Sequence, residues 1–445
     1  MNKVFKKIAA LGCALALSAS FTACGLVSLG GNQLDQVAQE NGYDNFSAWM
    51  GSLEGADGDD GKDLDINDVY AAAKENGYTG SFLEFIKEYF SVDVQENNDT
   101  QTIAHNVMST VSLCCGFKGF SSISQGTGVI IDLDKDSGDA LIVTNYHVVY
   151  ESTVQTNSGI STAIYAYPYG ELTAFDMQTL TDEYGIRCTY VGGAMDYDIA
   201  VLKVNGNEKI KTSALEEATI GDSDSLTVGE KTFVVGNAEG DGISVTDGVL
   251  SVESEYIDMD SIDGKNREVS FRVLRTSAAV NHGNSGGAIF NASGELIGIV
   301  NAKNVDEAVE NMGYALPINY AMAAVQNILD NNGRLVRAMF GIMVQTTKSV
   351  ASIDENGRLT LKETCVVAEE ASYGYAAYNK LKVGDTLLKI TIGGETREIT
   401  RRYQVNDWLL SVRKGDTVTL TVLRGGAETT VEIPFSTDRY FTYYS

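Results

Sequence analysis

Ser277-Ala278-Ala279-Val280-Asn281-His282-Gly283-Asn284-Ser285-Gly286-Gly287-Ala288-Ile289-Phe290 sets one serine among three glycines, between two apolar flanks. Glycine reaches backbone conformations closed to other residues, so such a loop can present a hydroxyl and aim several backbone N–H groups at one point. An acyl-transfer nucleophile and its oxyanion hole need that geometry. A glycine-flanked serine also fills ordinary turns, so the catalytic reading requires a base and an orienting acid elsewhere in the chain.

The bulk numbers bound the answer. At 445 residues with 44% apolar side chains the chain can bury real cores, and its length fits about three domains. With 45 Gly and only 3 Pro, its turns must be made by Gly, Asn and Asp, which favours a mainly β body with many tight hairpins. The net charge of −27 argues against a nucleic-acid partner, because no basic stripe exists to displace counterions from phosphates. Six Cys are scattered: Cys13 and Cys24 lie near the start, Cys114 and Cys115 are adjacent, and Cys188 and Cys365 are isolated. That spacing points to neither a zinc site nor a disulfide framework.

Residues 1–23 read as an export signal, with Lys3, Lys6 and Lys7 ahead of an apolar run from Ile8 to Leu17 that is too short to span a bilayer. The following Phe21-Thr22-Ala23-Cys24-Gly25 resembles a bacterial lipoprotein cleavage box, which implies lipidation at Cys24 and a membrane anchor. Phe21 stands where that box has an aliphatic residue, so simple secretion stays open. In residues 24–100, Glu40-Asn41-Gly42-Tyr43 recurs as Glu75-Asn76-Gly77-Tyr78, and Phe82, Phe85 and Tyr89 share one helix face. The pattern predicts a small helical repeat region, with the Asp/Gly-rich run Gly55 to Asp65 as an acidic linker within it.

From Gln125 the chain turns strand-like. Gly126 to Ile131, an acidic turn over Asp132 to Asp139, and Ala140 to Val149 predict a hairpin whose second strand ends near His147. Only His105, His147 and His282 can supply an imidazole. Asp196-Tyr197-Asp198 precedes the apolar run Ile199 to Val204, so Asp198 is placed at the edge of a core where it can orient an imidazole, with Asp196 as a turn residue.

The order His147, Asp198, Ser285 is carried by eight collinear strings: GTGVII, TNYHVV, DYDIAVLKV, VVGNAEG, SVTDGVLS, LRTSAAVNHGNSGGAIFN, GELIGIVNA and MGYALPIN. Together they resemble the HtrA/Deg family of trypsin-like serine proteases over roughly residues 109–330, with looser likeness to about residue 434. The resemblance implies a double six-stranded β-barrel over residues 101–330 and a serine endopeptidase that cleaves unfolded or damaged polypeptides without a cofactor or metal. Carried onto this chain, His147, Asp198 and Ser285 are the catalytic residues, and Gly283, Asn284 and Ser285 form the oxyanion hole. The substrate pocket falls at Met312, Gly313, Tyr314 and Ala315, with a preference for small or medium aliphatic side chains. Ser277, Ala238 and His282 depart from the family pattern near the nucleophile.

Pro317-Ile318-Asn319 leads into a predicted helix over Tyr320 to Asp330, stopped by Asn331-Asn332-Gly333. Residues 331–435 resemble a PDZ domain, with Met339-Phe340-Gly341-Ile342 as the loop that binds a peptide carboxylate. A Tyr-rich tail, 436–445, is read as either a strand edge or disorder. The resemblance further implies a homotrimer. The leading reading is an extracytoplasmic, membrane-anchored endopeptidase; the alternative is a catalytically silent peptide-binding chaperone or scaffold on the same fold.

Overall fold

Why should strands such as Ala140–Val143 and Ala288–Phe290 be apolar at every position rather than at alternate ones? Each is squeezed on both faces. The computed structural model describes residues 99–117, 123–154, 156–171, 174, 177–263, 265, 267–301 and 312–444; the leader, Cys24, the repeat region and its acidic linker lie outside them. After helix α1 (Asp99–Met108), β1 (Thr110–Gly116), β2 (Ile123–Asp134), β3 (Asp139–Thr144), β4 (Ala163–Tyr167), β5 (Ile186–Ala194) and β6 (Ile199–Val204) close a six-stranded barrel in the order β1-β2-β3-β6-β5-β4. A second barrel, β10-β11-β12-β9-β8-β7, is built from β7 (Lys231–Gly236), β8 (Ser244–Asp260), β9 (Glu268–Thr276), β10 (Ala288–Asn291), β11 (Leu296–Asn301) and β12 (Gly313–Pro317). These are the two expected barrels.

The strand period of two sorts their side chains. Ile142, Ala200 and Leu202 fill the first barrel, while their neighbours Val143, Ile199 and Val201 face outward. Those outward residues join Phe233, Val235, Phe290 and Ile299 of the second barrel in one shared core. Val234, Ile289 and Ile297 point the other way, into the second barrel. Each fully buried Ile, Leu or Phe is worth about 1.5–3 kcal/mol, so the seam between the barrels is held by the same apolar burial that fills them.

Local structure corrects the expected hairpin. The second strand stops at Thr144, and Tyr146–Val149 forms a one-turn helix, α2, so His147 lies on a helical turn rather than at a strand end. The acidic tip is closed by Asp134, whose Oδ1 accepts the N–H groups of Asp136 and Ser137 at 2.9 and 3.2 Å; those bonds hold its carboxyl below the ordinary range. A short helix α3 (Glu208–Thr212) follows the first barrel. The longer helix α4 runs Ile318–Asp330, starting earlier than the expected Tyr320 because Pro317 stands at its N-cap position with φ −59°, where no N–H is needed. It ends as expected, with Asn332 and Gly333 left-handed and the Gly333 N–H returning to the Ile328 carbonyl at 2.9 Å.

Beyond α4, β13 (Leu335–Ala338) pairs with the last strand, β20 (Phe441–Tyr444), so the Tyr-rich tail is a strand. Between them a sheet of order β14-β15-β16-β18-β19 is formed by β14 (Met343–Ile353), β15 (Leu359–Glu369), β16 (Thr386–Ile392), β18 (Thr417–Arg424) and β19 (Ala427–Pro434). The short β17 (Glu395–Glu398) pairs with β16, and helix α5 (Arg402–Trp408) packs beside the sheet. Asp385, in the turn before β16, is fully buried and takes Arg424 through bonds of 2.7 and 2.6 Å, which closes that end of the module.

This module is fastened to the two barrels by polar groups. Asn327 of α4 donates to the carbonyls of Val336 and Leu410 at 2.8 and 2.6 Å. Arg272, on β9 and only 2% exposed, sits 2.6 Å from Asp407 of α5, with its guanidinium 4.1 Å above the Tyr403 ring. Burial pushes the Asp407 carboxyl up to about 6, against the pull of Arg272. The folded protein therefore holds that proton more tightly than the unfolded chain does. The resulting stability is complete below the ordinary carboxylate range and is lost as the pH rises through about 6. Asp407→Asn cannot titrate, so the stability of the parent relative to this variant, read by urea unfolding, should fall between about pH 4 and about pH 7.

Candidate active site

The imidazole is placed by what surrounds it. Asn145 leaves β3 in an extended conformation, and Tyr146, Val148 and Val149 of α2 are buried, while the intervening His147 stays part-exposed. On the neighbouring hairpin, a 3-10 turn over Met195–Tyr197 ends in Asp198, which adopts the left-handed conformation, φ 46° and ψ 44°, while its N–H bonds to the Met195 carbonyl. A non-glycine residue there is strained by about 1–3 kcal/mol and persists only where its surroundings over-determine it.

Four hydrogen bonds do so. Asp198 Oδ2 receives His147 Nδ1 at 2.7 Å and Asn301 Nδ2 at 3.0 Å; Oδ1 receives the His147 backbone N–H at 3.0 Å. Asn145 Nδ2 donates to the Asp198 carbonyl at 3.0 Å. The carboxylate is 3% exposed and grips both the ring and the backbone of His147. With Nδ1–H directed at Asp198, the neutral ring offers Nε2 as its proton acceptor. Asp196 points elsewhere, onto Arg267 at 2.5 and 3.0 Å.

The serine loop consists of two consecutive turns sharing Asn284. The Asn284 N–H closes the first onto the Asn281 carbonyl at 3.1 Å, with Gly283 at φ 88°; the Gly287 N–H closes the second onto Asn284 at 2.9 Å, with Gly286 at φ 81°. Positive φ confined to the third residue is the type II pattern, which demands glycine at both places. A Cβ at Gly283 would strike the Asn237 carbonyl, and one at Gly286 would strike Thr144 and Thr127. The His282 carbonyl accepts the Glu239 N–H at 2.7 Å, so the Gly283 N–H on the other side of that planar peptide is turned the opposite way. Asn284, expected to help receive an oxyanion, has its amide taken up by the first turn and its side chain buried against Gly236. The N–H groups of Gly283 and Ser285 are outside both closing bonds.

Thr127 of β2 joins this loop to the first barrel. Its N–H donates to the Ser285 carbonyl at 2.8 Å, its hydroxyl donates to the Gly283 carbonyl at 2.7 Å, and that hydroxyl also receives the Asn237 N–H at 2.9 Å. Next to it, Gly126 is flanked by both the Val148 side chain and the Ser285 carbonyl, so the residue after His147 and the serine backbone meet over one glycine. Of the three departures from the family pattern, Ser277 accepts the Val249 N–H at 3.0 Å, Ala238 opens the turn that carries Glu239, and His282 is exposed on the first turn.

Met312, Gly313, Tyr314 and Ala315 lead into and along β12, beneath the segment that enters the serine loop: Gly313 packs on Val280 and Ala278. Ala315 is wholly buried in the second barrel, whereas Met312 and Tyr314 are part-exposed and touch each other and, through Met312, Arg275. Met339 to Ile342 link β13 to β14; the Met339 N–H bonds to Tyr440 and the Phe340 carbonyl accepts from Ala377, while the Tyr375 ring lies against Gly341. Asn145, Thr127 and Asn301 are buried polar residues whose roles the sequence does not mark; Asn145 and Asn301 stand at the end of apolar runs, the one local signal that could point to them, while Thr127 between two glycines carries none. Gly283→Ala keeps its N–H but can neither hold φ 88° nor clear the Asn237 carbonyl, so it should turn that N–H away and lower hydrolysis of a peptide substrate by about 100-fold, with the far-ultraviolet circular dichroism unchanged.

The trypsin-like peptidase domain family matches residues 126–299. The chain is 31% identical over 329 residues to the serine protease Do-like HtrA of Lactococcus lactis subsp. cremoris (strain MG1363), covering 72% of each protein. Against the serine protease Do-like HtrA of Bacillus subtilis (strain 168) it is 30% identical over 317 residues, 69% of this chain and 63% of that one. A solved HtrA-type protease AlgW with tripeptide aligns at 22% identity and a TM-score of 0.48, over 78% of this chain and 97% of that chain. With a relative of this identity and coverage behind it, the chain belongs to the HtrA family of trypsin-like serine proteases, and it is a serine endopeptidase.

Proposed function

We propose that this endopeptidase works outside the cytoplasm, anchored through Cys24, and cleaves unfolded polypeptides with Ser285 as nucleophile, His147 as general base and Asp198 as its orienting acid. The observation that carries the assignment is the carboxylate of Asp198 gripping both His147 Nδ1 and the His147 N–H, opposite a serine loop tied to the same barrel by Thr127. Ser285 Oγ attacks the substrate carbonyl while its proton passes to His147 Nε2, and Asp198 stabilises the imidazolium. The carbonyl oxygen, now an oxyanion, is received by the N–H groups of Gly283 and Ser285. The imidazolium then protonates the leaving amine as the C–N bond breaks, and water repeats the sequence to free the acyl group and regenerate Ser285.

The C-terminal module is assigned as a PDZ-type domain. β14 is the edge strand of its sheet, exposed along almost its whole length, and can take an extended peptide as an added strand. Met339 to Ile342 lie at the start of that strand, where a peptide carboxylate would be held. Lipidation at Cys24 and a homotrimeric assembly complete the proposal by family likeness. Retention of the mature chain in membranes by the parent and its release by Cys24→Ala tests the first, and sedimentation of the mature chain tests the second.

Ser285→Ala should abolish both casein cleavage and labelling by a fluorophosphonate while leaving the circular dichroism unchanged; cleavage persisting at the parental rate would remove Ser285 from the reaction. At the module, a peptide with a free C-terminal carboxylate should bind at least about tenfold more tightly than its amide in a fluorescence anisotropy titration.

A further inference from the structure

Tyr197, the residue before Asp198, is 5% exposed and enclosed by aromatic rings from two distant parts of the chain. Tyr320 of α4 stacks on it with ring centroids 5.6 Å apart and planes 16° apart. Tyr444 of β20 meets it edge-on, centroids 5.1 Å apart and planes at 73°. Both arrangements are favourable for aromatic pairs. Tyr444 is itself held opposite Leu335 by the pairing of β20 with β13. The turn before β13 also reaches the Asp198 hairpin: the Gly193 N–H bonds to the Gly333 carbonyl at 3.2 Å, and a Cβ on Gly192 would collide with Gly333. The C-terminal segment thus bears on this hairpin at two points, one of them next to Asp198.

We propose that Tyr444 is a positioning residue for the protease: by walling in Tyr197 it holds the 3-10 turn that keeps Asp198 left-handed and aligned on His147. The inference rests on the triad reading above and adds a requirement to it. Asp198 can hold its strained backbone only while the groups on either side leave no room to relax. Its polar groups are secured by Asn145, Asn301 and His147, and the turn that leads into it is anchored by the buried ring of Tyr197. Without the Tyr444 ring, one wall of the Tyr197 slot is missing. The turn then relaxes, and the carboxylate no longer meets Nδ1 and the His147 N–H together. Substrate binding lies elsewhere, so the loss should fall on kcat and not on KM.

The test uses the full mature chain with a peptide substrate. Tyr444→Ala should lower kcat by about tenfold or more with KM within about twofold, and should broaden the far-downfield proton resonance of the His147–Asp198 hydrogen bond. Tyr444→Phe, which keeps the ring, should restore both, and Tyr443→Ala, which removes an exposed side chain of β20, should match the parent. Tyr444→Leu keeps part of the wall and should lower kcat in the same direction by a smaller factor, about threefold, so it carries the test if the alanine variant does not fold. Parental kcat in both Tyr444→Ala and Tyr444→Leu would overturn the proposal. So would a loss that raises KM in step with the fall in kcat, because that marks general disordering of the fold. Ser285→Ala, run in parallel, separates the two readings: if it cleaves at the parental rate the triad assignment fails, and if it is inactive while Tyr444→Ala is unimpaired only the role of Tyr444 fails.

Discussion

The serine and the histidine of this protein belong to different barrels, and the arrangement depends on the hydrogen bonds of Thr127 that cross the seam. One residue of β2 fixes the carbonyls of Gly283 and Ser285 and, through the Asn237 N–H, the turn that supports them. Apolar burial brings the barrels together but has no direction. A shared core of Val143, Val201, Val235 and Phe290 would tolerate sliding that an acyl-transfer site could not. Misplacement by about 1 Å can cost about 100-fold in rate. The directional bonds of Thr127 convert a hydrophobic seam into a registered one.

Strain and its restraint recur on both sides of that seam. Gly283 and Gly286 adopt positive φ without a side-chain penalty, and the collisions a Cβ would make show how closely Asn237, Thr144 and Thr127 press on them. Asp198 has no such freedom and is held left-handed by its partners. The couple is therefore only as rigid as the groups around the 3-10 turn, several of which arrive from the C-terminal half of the chain. Catalytic geometry and module docking share residues here.

The junction itself is chemically uneven. Arg272 is buried among Tyr320, Tyr403 and Asp407, and a buried ion pair of this kind stabilises little against a well-packed apolar substitute. Breaking it from one side leaves an uncompensated buried charge, however, so the pair penalises any arrangement in which α5 moves away from β9. Orientation, more than adhesion, is what such a contact supplies.

The strings around His147, Asp198 and Ser285 could be read as chemistry because each sits in a short local pattern: an apolar run, a turn signal, a glycine where positive φ is needed. A mainly β body was legible from turns made by Gly, Asn and Asp, which act over a few neighbours, whereas the two barrels followed only from the likeness of the collinear strings to a known family. Other features were not. The continuous apolar runs gave no sign that Ile142 faces one core and Val143 another, because that depends on the second barrel. The apolar run predicts a strand that ends near His147, since nothing in TNYHVV marks the point where burial of Tyr146, Val148 and Val149 favours a helical turn. Thr127, Asn301 and Tyr444 acquire their roles from partners more than 100 residues away. The amino-acid sequence by itself determined which functional groups exist and the local backbone they can adopt. Only the tertiary structure decided which of them meet, because a hydrogen bond or a ring contact depends on distance in space and leaves no periodic trace in the chain.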